Sequence, residues 1–405
     1  MLSYSVARQT VIEIARKLCG TLPQETVELN QALGRVLAQN IAADRDYPPF
    51  PRSTRDGFAV RASDLVSGAK SLKLIGESRA GVAFSGSVGP CECVQIMTGA
   101  AVPAGADAVV MQEHVHVGNG EITVGREIRA GENIVPAGRE AQSGLVVVPA
   151  GTKLGFAELA MAAQVGATSA SVFRKPRVAI LSTGDEVVPV EQKPGPVQIR
   201  NSNSVSLSAQ ATLAGAEPVP LGNAPDQHDE LRARIERGLQ EDILVLSGGV
   251  SVGKYDFVEA VLRELGAEFF FDALAIRPGK PAVFGKCRGK LVFGLPGNPV
   301  STMVTFELLT VPAIDLCGGL APRPLFLLKA RLAKPVGQKA KLTHFLPARL
   351  HWENGEPMVE EISWQGSGDV AALVNANCFL VVPAETRQKF AAGEWMSVLP
   401  RRDMI

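Results

Sequence analysis

The chain has 405 residues, 46% of them hydrophobic, and its 41 basic and 41 acidic side chains cancel. That length allows several packed domains, and a zero net charge supplies no long-range field for nucleic acid. Three Trp and three Tyr give no stacking ladder for single strands, and every apolar run is broken short of the roughly 20 residues a bilayer demands, so no membrane span is expected.

Residues 1–18 read as an amphipathic helix with Val6, Val11, Ile12, Ile14, Ala15 and Leu18 on its apolar side, without the apolar core or cleavage site of a secretion signal. Helical patterns break at Gly20 and Pro23, residues 26–29 alternate like a short strand, and residues 32–38 look helical. From 46 to about 144 the character changes to short alternating runs, such as Leu72-Lys73-Leu74-Ile75-Gly76 and Cys93-Val94-Gln95-Ile96, separated by many glycines. Residues 154–165 return to helix, so the β block reads as inserted into a helical region. An α/β pattern follows from about 176 to 318. The remainder, with Leu328-Lys329-Ala330-Arg331-Leu332 and Cys378-Phe379-Leu380-Val381-Val382, reads as a small β-barrel or sandwich.

The six cysteines, Cys19, Cys91, Cys93, Cys287, Cys317 and Cys378, are dispersed and form no C-x-x-C pair, which predicts reduced thiols in a cytoplasmic protein. Cys91 with Cys93, and His114 with His116, alternate along strands in the manner of packing rather than of metal ligation.

Within the α/β stretch, three apolar runs each break into a glycine-rich turn. Arg177-Val178-Ala179-Ile180-Leu181 leads to Ser182-Thr183-Gly184-Asp185-Glu186. Ile243-Leu244-Val245-Leu246 leads to Ser247-Gly248-Gly249-Val250-Ser251-Val252-Gly253 and a helical pattern from Tyr255. Leu291-Val292-Phe293 leads to Gly294-Leu295-Pro296-Gly297-Asn298-Pro299-Val300-Ser301. The turns should line one edge of a parallel sheet, where glycines admit a ligand to the backbone and free N–H groups attract negative charge. Ile276-Arg277-Pro278-Gly279-Lys280-Pro281 adds two cations between the second and third turns, so a polyanion is expected. None of the turns matches the ATPase phosphate loop or the dinucleotide G-x-G-x-x-G fingerprint.

These motifs together resemble the molybdopterin molybdenumtransferase family, MoeA and the E domain of gephyrin. Pro48-Pro49-Phe50 with Ser53 and Asp56-Gly57-Phe58-Ala59 is similar to the family's P-P-F-x-x-S-x-M-D-G-[FY]-A signature, and Ile96-Met97-Thr98-Gly99-Ala100 through Pro103-Ala104-Gly105-Ala106-Asp107-Ala108-Val109-Val110 to its I-x-T-G-A segment. The resemblance runs from about residue 45 to 385 in the family's order. It implies insertion of molybdenum from molybdate into adenylylated molybdopterin, with hydrolysis of the phosphoanhydride and release of AMP. It also implies Mg2+ held by Asp56, Glu140, Glu186, Asp226 and Asp256, with Lys280 joining Asp56, Glu186, Asp226 and Asp256 in catalysis. The substrate contacts it implies are Thr98, Ser182, Thr183, Gly184, Ser247, Gly248, Gly249, Ser251, Gly253, Arg277, Pro281, Pro296, Gly297, Asn298, Ser301 and Ser367, the last in Gln365-Gly366-Ser367-Gly368. The bland alternatives are a helix N-cap for Asp226, a helix-dipole partner for Asp256 and a polar turn residue for Ser367.

The implied division is a helical stalk or dimerisation region (1–45 and 145–175), an inserted β domain (46–144), an α/β molybdopterin-binding domain (176–318) and a C-terminal β-barrel (319–405). The family is a homodimer whose site joins the α/β and terminal domains of one subunit to the inserted domain of its partner, and the adenylyltransferase of the same pathway is a further expected partner. Departures from the family pattern are Arg55 for Met, Gly138-Arg139-Glu140 for Gly-Glu-Asp, and Arg277 for the frequent Lys. Pro347 stands where the family has an arginine near molybdate; Arg349, two residues on and on the same strand face, is expected to substitute for it. Two other readings compete. The altered Arg139 and Ala273 positions could mark a scaffold that binds the pterin without turnover; the related adenylyltransferase shares the α/β domain but lacks the inserted and terminal β domains.

Overall fold

The computed structural model describes all residues except 21, 70, 250–256, 338–340, 385–388 and 405. Arg177–Thr183, Ile243–Ser247 and Lys290–Leu295 each carry an apolar run and are buried at nearly every position, the pattern of strands covered on both faces. They lie in parallel, Val178 opposite Ile243 and Ile243 opposite Leu291. Glu217–Ala224 extends this sheet on one side; Val283–Cys287 and Glu268–Phe271 close the other side antiparallel. Alternate residues divide between two cores. Val178, Ile180, Val245 and Phe293 face helices Tyr4–Leu18 and Ser202–Leu213 and the long helix after Asn298, whereas Ala179, Leu181, Leu244 and Leu246 face His228–Gly238 and Phe257–Glu264. Each fully buried Phe or Leu contributes roughly 1.5–3 kcal/mol.

Helix Tyr4–Leu18 is capped by Ser3, whose hydroxyl accepts from Val6 N, and packs Ala7, Val11 and Ala15 into the α/β core. It therefore does not join the stalk expected of residues 1–45. Residues 32–38 are not helical either: a 3-10 turn ends at Gln31, and Gly34 has φ +75°, a conformation that stops a helix. One apolar segment is longer than the sequence suggests. Pro299–Cys317 runs as one continuous helix, long and apolar enough to cross a membrane, but it is largely buried in the α/β core. Pro312 explains its wide π turn at Phe306–Thr310. Proline has no N–H for Leu308 O, and buried Arg8 of the first helix supplies one instead at 3.2 Å, together with a 2.8 Å bond to Arg323 O.

At their far ends these two helices are joined by a disulfide between Cys19 and Cys317, with the Cα atoms 5.3 Å apart. The expectation that all cysteines are reduced thiols is thus corrected. The partners are 298 positions apart, so no spacing rule could pair them. Cys91 has φ +55° and is exposed, Cys93 is buried with its thiol pushed up to about 12 by burial, and no cluster of metal-binding side chains occurs among the described residues.

The inserted block is a six-stranded sheet in the order Ala108–Met111, Gly57–Val60, Glu92–Ile96, Ser71–Ser78, Glu121–Val124, Val115–Gly118. The chain leaves and returns side by side: Ile41–Ala42 pairs with Val146–Val148, and Gln24–Glu28 with Ser169–Phe173. In the C-terminal region, Leu328–Leu332, Thr343–Glu353, Glu356–Glu361, Cys378–Val382 and Trp395–Pro400 close into a five-stranded barrel, because Thr343–Glu353 pairs with both Glu356–Glu361 and Cys378–Val382. Ile276–Arg277 adds to this barrel in parallel with Thr343–His344, which ties the cationic turn to it.

Candidate functional site

The strand order reverses between Arg177–Thr183 and Ile243–Ser247, the point at which open α/β sheets hold ligands beyond the carboxyl ends of their strands. A cavity of about 400 Å³ opens there. Of the residues expected in a site it is lined by Ser182, Thr183, Gly184, Glu186, Asp226, Ser247, Gly248, Gly249, Pro281, Pro296, Gly297 and Asn298. Turns two and three touch, since a Cβ on Gly297 would lie 3.5 Å from Gly248 Cα. Turn two also presses on turn one: at Gly248, φ +95°, a Cβ would come within 2.8 Å of Thr183 O, and at Gly249, φ +63°, within 2.8 Å of Thr183 Oγ1.

Two helices begin at the cavity. Asn201 caps Ser202–Leu213, its Oδ1 accepting from Ser204 N at 3.0 Å and from Ser182 Oγ at 2.8 Å. Asn298 precedes Pro299–Thr305. Asn203 joins the second and third turns by donating from Nδ2 to Ser247 Oγ at 2.8 Å and to Gly297 O at 2.7 Å. Asn201, Ser202 and Asn203 line the cavity without being among the residues expected from the sequence; a signal for them exists, because Asn-Ser before a helical run is an N-cap signature. Thr183 Oγ1 and Asn203 Oδ1 are buried without a hydrogen-bond partner among the described residues, which leaves polar capacity on the cavity wall.

The carboxylates gather on one side. Glu186 folds over Gly184, its Oε2 2.5 Å from where a Cβ would sit. Asp226 is not a helix N-cap; that position belongs to Gln227, and Asp226 N instead donates to Asp185 Oδ1 at 3.0 Å. Partial burial, then the charges of Asp185 and Glu186, hold the Asp226 carboxyl above its ordinary range. Arg277 and Lys280, in the turn that leads to the cavity-lining Pro281, are exposed and have no ion-pair partner among the described residues. Ser301 is buried in the helix and Ser367 docks from the C-terminal region, its Oγ accepting from Asn298 Nδ2 at 2.9 Å and its carbonyl from Val300 N at 3.0 Å. Ser251, Gly253 and Asp256 lie outside the described residues.

The remaining candidates stand apart from this cavity. Asp56 opens the strand Gly57–Val60 and accepts from Thr98 N at 2.6 Å and Thr98 Oγ1 at 2.9 Å, bonds that depress its pKa. Gly57 is obligatory beside it, for a Cβ would fall 1.9 Å from Val110 O. Glu140 is exposed and ion-paired with Arg52. Arg349 is exposed on the barrel and in register with Glu360, whose carboxyl is paired with Lys334 at 3.0 Å and held below its ordinary range chiefly by it, and Arg349 does not line the cavity.

A sheet edge of glycine turns, two helix N-termini, and Glu186 and Asp226 beside them, with the exposed cations of the neighbouring Pro-Gly turn, fit the class of anion-binding α/β proteins. The relatives narrow this class. Residues 2–166 match the MoeA N-terminal region (domain I and II), residues 179–315 a probable molybdopterin binding domain, and residues 329–400 the MoeA C-terminal region (domain IV). The chain is 36% identical to the molybdopterin molybdenumtransferase of Bacillus subtilis over 97% of its own length and 94% of that protein's, and 35% identical to that of Haemophilus influenzae over the whole of both. The crystal structure of the molybdopterin biosynthesis MoeA protein from Pyrococcus horikoshii superposes with a TM-score of 0.80 at 28% identity, covering 99% of this chain and 100% of that one. The chain belongs to the molybdopterin molybdenumtransferase family.

Proposed function

We propose that this protein is the enzyme of molybdenum cofactor biosynthesis that inserts molybdenum from molybdate into adenylylated molybdopterin and releases AMP. The observation that carries the reading is the convergence of three glycine turns and two helix starts on one cavity that also holds Glu186 and Asp226. In this reading, turn amides hold the phosphates, with Ser182, Ser247 and Asn298 as neighbouring hydroxyl and amide partners. Lys280 and Arg277 hold molybdate at the rim, the first as a point charge and the second as a planar fork. Thr183 and Asn203 offer their unpartnered oxygens to the ligand.

Mg2+ fits this donor set: Glu186 and Asp226 share the cavity, burial and then the charges of Asp185 and Glu186 raise Asp226, and a hard cation needs only one or two carboxylates besides phosphate and water. These two residues would hold it, and when bound it supplies charge neutralisation at the phosphoanhydride. Asp56 and Glu140 belong to the inserted block, no described residue of which lines the cavity of its own chain. This supports a homodimer in which the partner's inserted domain, at 46–144, completes the site, with the α/β domain at 176–318 taking in helix Tyr4–Leu18 and the terminal barrel at 319–405. Contact with the pathway's adenylyltransferase belongs to the same reading, as substrate handover. The test is AMP release from adenylylated molybdopterin with magnesium, with and without molybdate. Molybdate-dependent release is expected; tight binding of the adenylylated pterin without AMP would make the protein a scaffold instead.

A further inference from the structure

Away from the site, the Cys19–Cys317 disulfide lines a second cleft of about 400 Å³. The two cysteines end two helices, Cys19 closing Tyr4–Leu18 with its N–H on Ala15 O and Cys317 ending Val311–Cys317, and both are half-buried rather than sealed in the core. Gly20 beside them leaves open space, with nothing within 4 Å of where a Cβ would stand. Two cations face the cleft. Arg174 is tied to Asp242 at 2.8 Å, but Lys290 has no ion-pair partner among the described residues. The four remaining cysteines differ: Cys93, Cys287 and Cys378 are buried, the first and last with thiols pushed up to about 12, and Cys91 stands by itself.

We propose that Cys19–Cys317 is a thiol-exchange site, opened and closed in the folded protein by small anionic thiols of the glutathione class. A disulfide that a solvent-filled cleft reaches can be attacked by a thiolate, whereas one enclosed by packed side chains cannot. Lys290 gives the cleft a charge that draws an anionic thiol. The step balances without further reagents. One small thiolate attacks a protein sulfur, the S–S bond breaks, and the other sulfur leaves as a thiolate that takes up a proton. A second small thiolate resolves the mixed disulfide, so two small thiols become one small disulfide and the protein gains two thiols. Apolar packing of Ala7, Val11 and Ala15 keeps the helix seated after reduction, so the fold survives while the end of the helix loses its covalent anchor.

The experiment is incubation of the folded full-length protein in glutathione buffers of graded reduced-to-oxidised ratio, an acid quench and removal of the glutathione, then alkylation in denaturant, intact mass and peptide mapping. Without reductant four cysteines should take the label, with peptides 19 and 317 cross-linked; millimolar reduced glutathione should raise the count to all six, and oxidised glutathione should restore four. Lys290→Ala should slow reduction about two- to five-fold at low salt, the difference fading as salt rises. Hydrogen exchange in residues 14–19 should quicken on reduction while the central strands stay protected. Free label on Cys19 and Cys317 in the oxidising buffer would overturn the proposal. So would a disulfide that opens only in denaturant. Should Cys317→Ser fold poorly, the mass readout on the unsubstituted protein decides alone.

Discussion

The central α/β sheet and the inserted sheet hold the two halves of the expected acidic set in opposite ways. At the α/β edge, carboxylates from separate turns crowd together, so that the pKa of Asp226 is held above the ordinary range by burial and by Asp185 and Glu186. In the inserted sheet, Asp56 is locked as an anion by two donors from Thr98, and Glu140 is neutralised by Arg52. One region crowds carboxylates around a cavity; the other is locally satisfied and contributes no described residue to that cavity. An enzyme site made of the first alone would not need the second. A site made across two subunits explains why carboxylates in both have a use.

The comparison is broken most easily at its strongest point. Lys280→Ala removes an exposed cation that has no ion-pair partner among the described residues and stands next to the cavity-lining Pro281, and molybdenum insertion should fall about 10²- to 10³-fold in kcat/KM with the fold unchanged, as loss of an electrostatic contact to a reacting group does. Steady-state AMP release and circular dichroism check both parts; loss below ten-fold would remove Lys280 from the oxyanion contact. Next come Asp56→Asn and Asp226→Asn, each expected to cost about 10²-fold alone. In a two-fold dimer with sites shared between subunits, a mixed population carrying one change on each chain should regain about a quarter of the normal rate. No recovery on mixing would place Asp56 outside the shared site.

Smaller effects separate the two carboxylates by sign. Asp226 has a raised pKa, so its folded-state cost is present above that pKa and vanishes as the pH falls through it. Asp226→Asn should therefore raise the midpoint of thermal unfolding at pH 7 without magnesium, and the gain should shrink at acid pH; binding of magnesium to the unsubstituted protein should weaken over the same fall. Asp56 has a depressed pKa and contributes stability above its unfolded value that is lost as the pH falls through the folded one. Asp56→Asn should lower the midpoint at pH 7 slightly, and a rise there would contradict the Thr98 bonds.

What the sequence discloses follows from where its signals are local. The three turns can be read because a glycine run after a buried strand is itself contiguous, and the terminal β region because Leu328–Leu332 alternates and Cys378–Val382 is a short apolar run; that the strands close into a barrel is not local. Asn201 and Asn203 carry a readable cap signature, but it marks only a helix start, and the ligand-facing use of both residues depends on turns that the fold brings to them. Helix Tyr4–Leu18 has a legible apolar stripe, yet nothing local says that the stripe faces the α/β core, and nothing local pairs Cys19 with Cys317. Residues 32–38 mislead because Ala, Leu, Val and Arg favour helix, while the single Gly34 at positive φ decides the path.

Arg349 gives the finest test of the same contrast between cavity and periphery. The strand register puts it on the face of Pro347, as the two-residue spacing requires, but its neighbour there is Glu360, and the cavity wall does not include it. An exposed arginine beside a carboxylate on a strand contributes about 0.2–1 kcal/mol. Arg349→Ala should thus change molybdenum insertion less than about three-fold, because an interaction of that size in water is too weak to carry an oxyanion contact. If the change instead matches that of Lys280→Ala, Arg349 makes a contact to the oxyanion, and Arg349→Lys should then keep part of the molybdate affinity that Arg349→Ala loses. Measuring the molybdate KM of both variants distinguishes a residue that only decorates the barrel from one that supplies the positive charge Pro347 cannot.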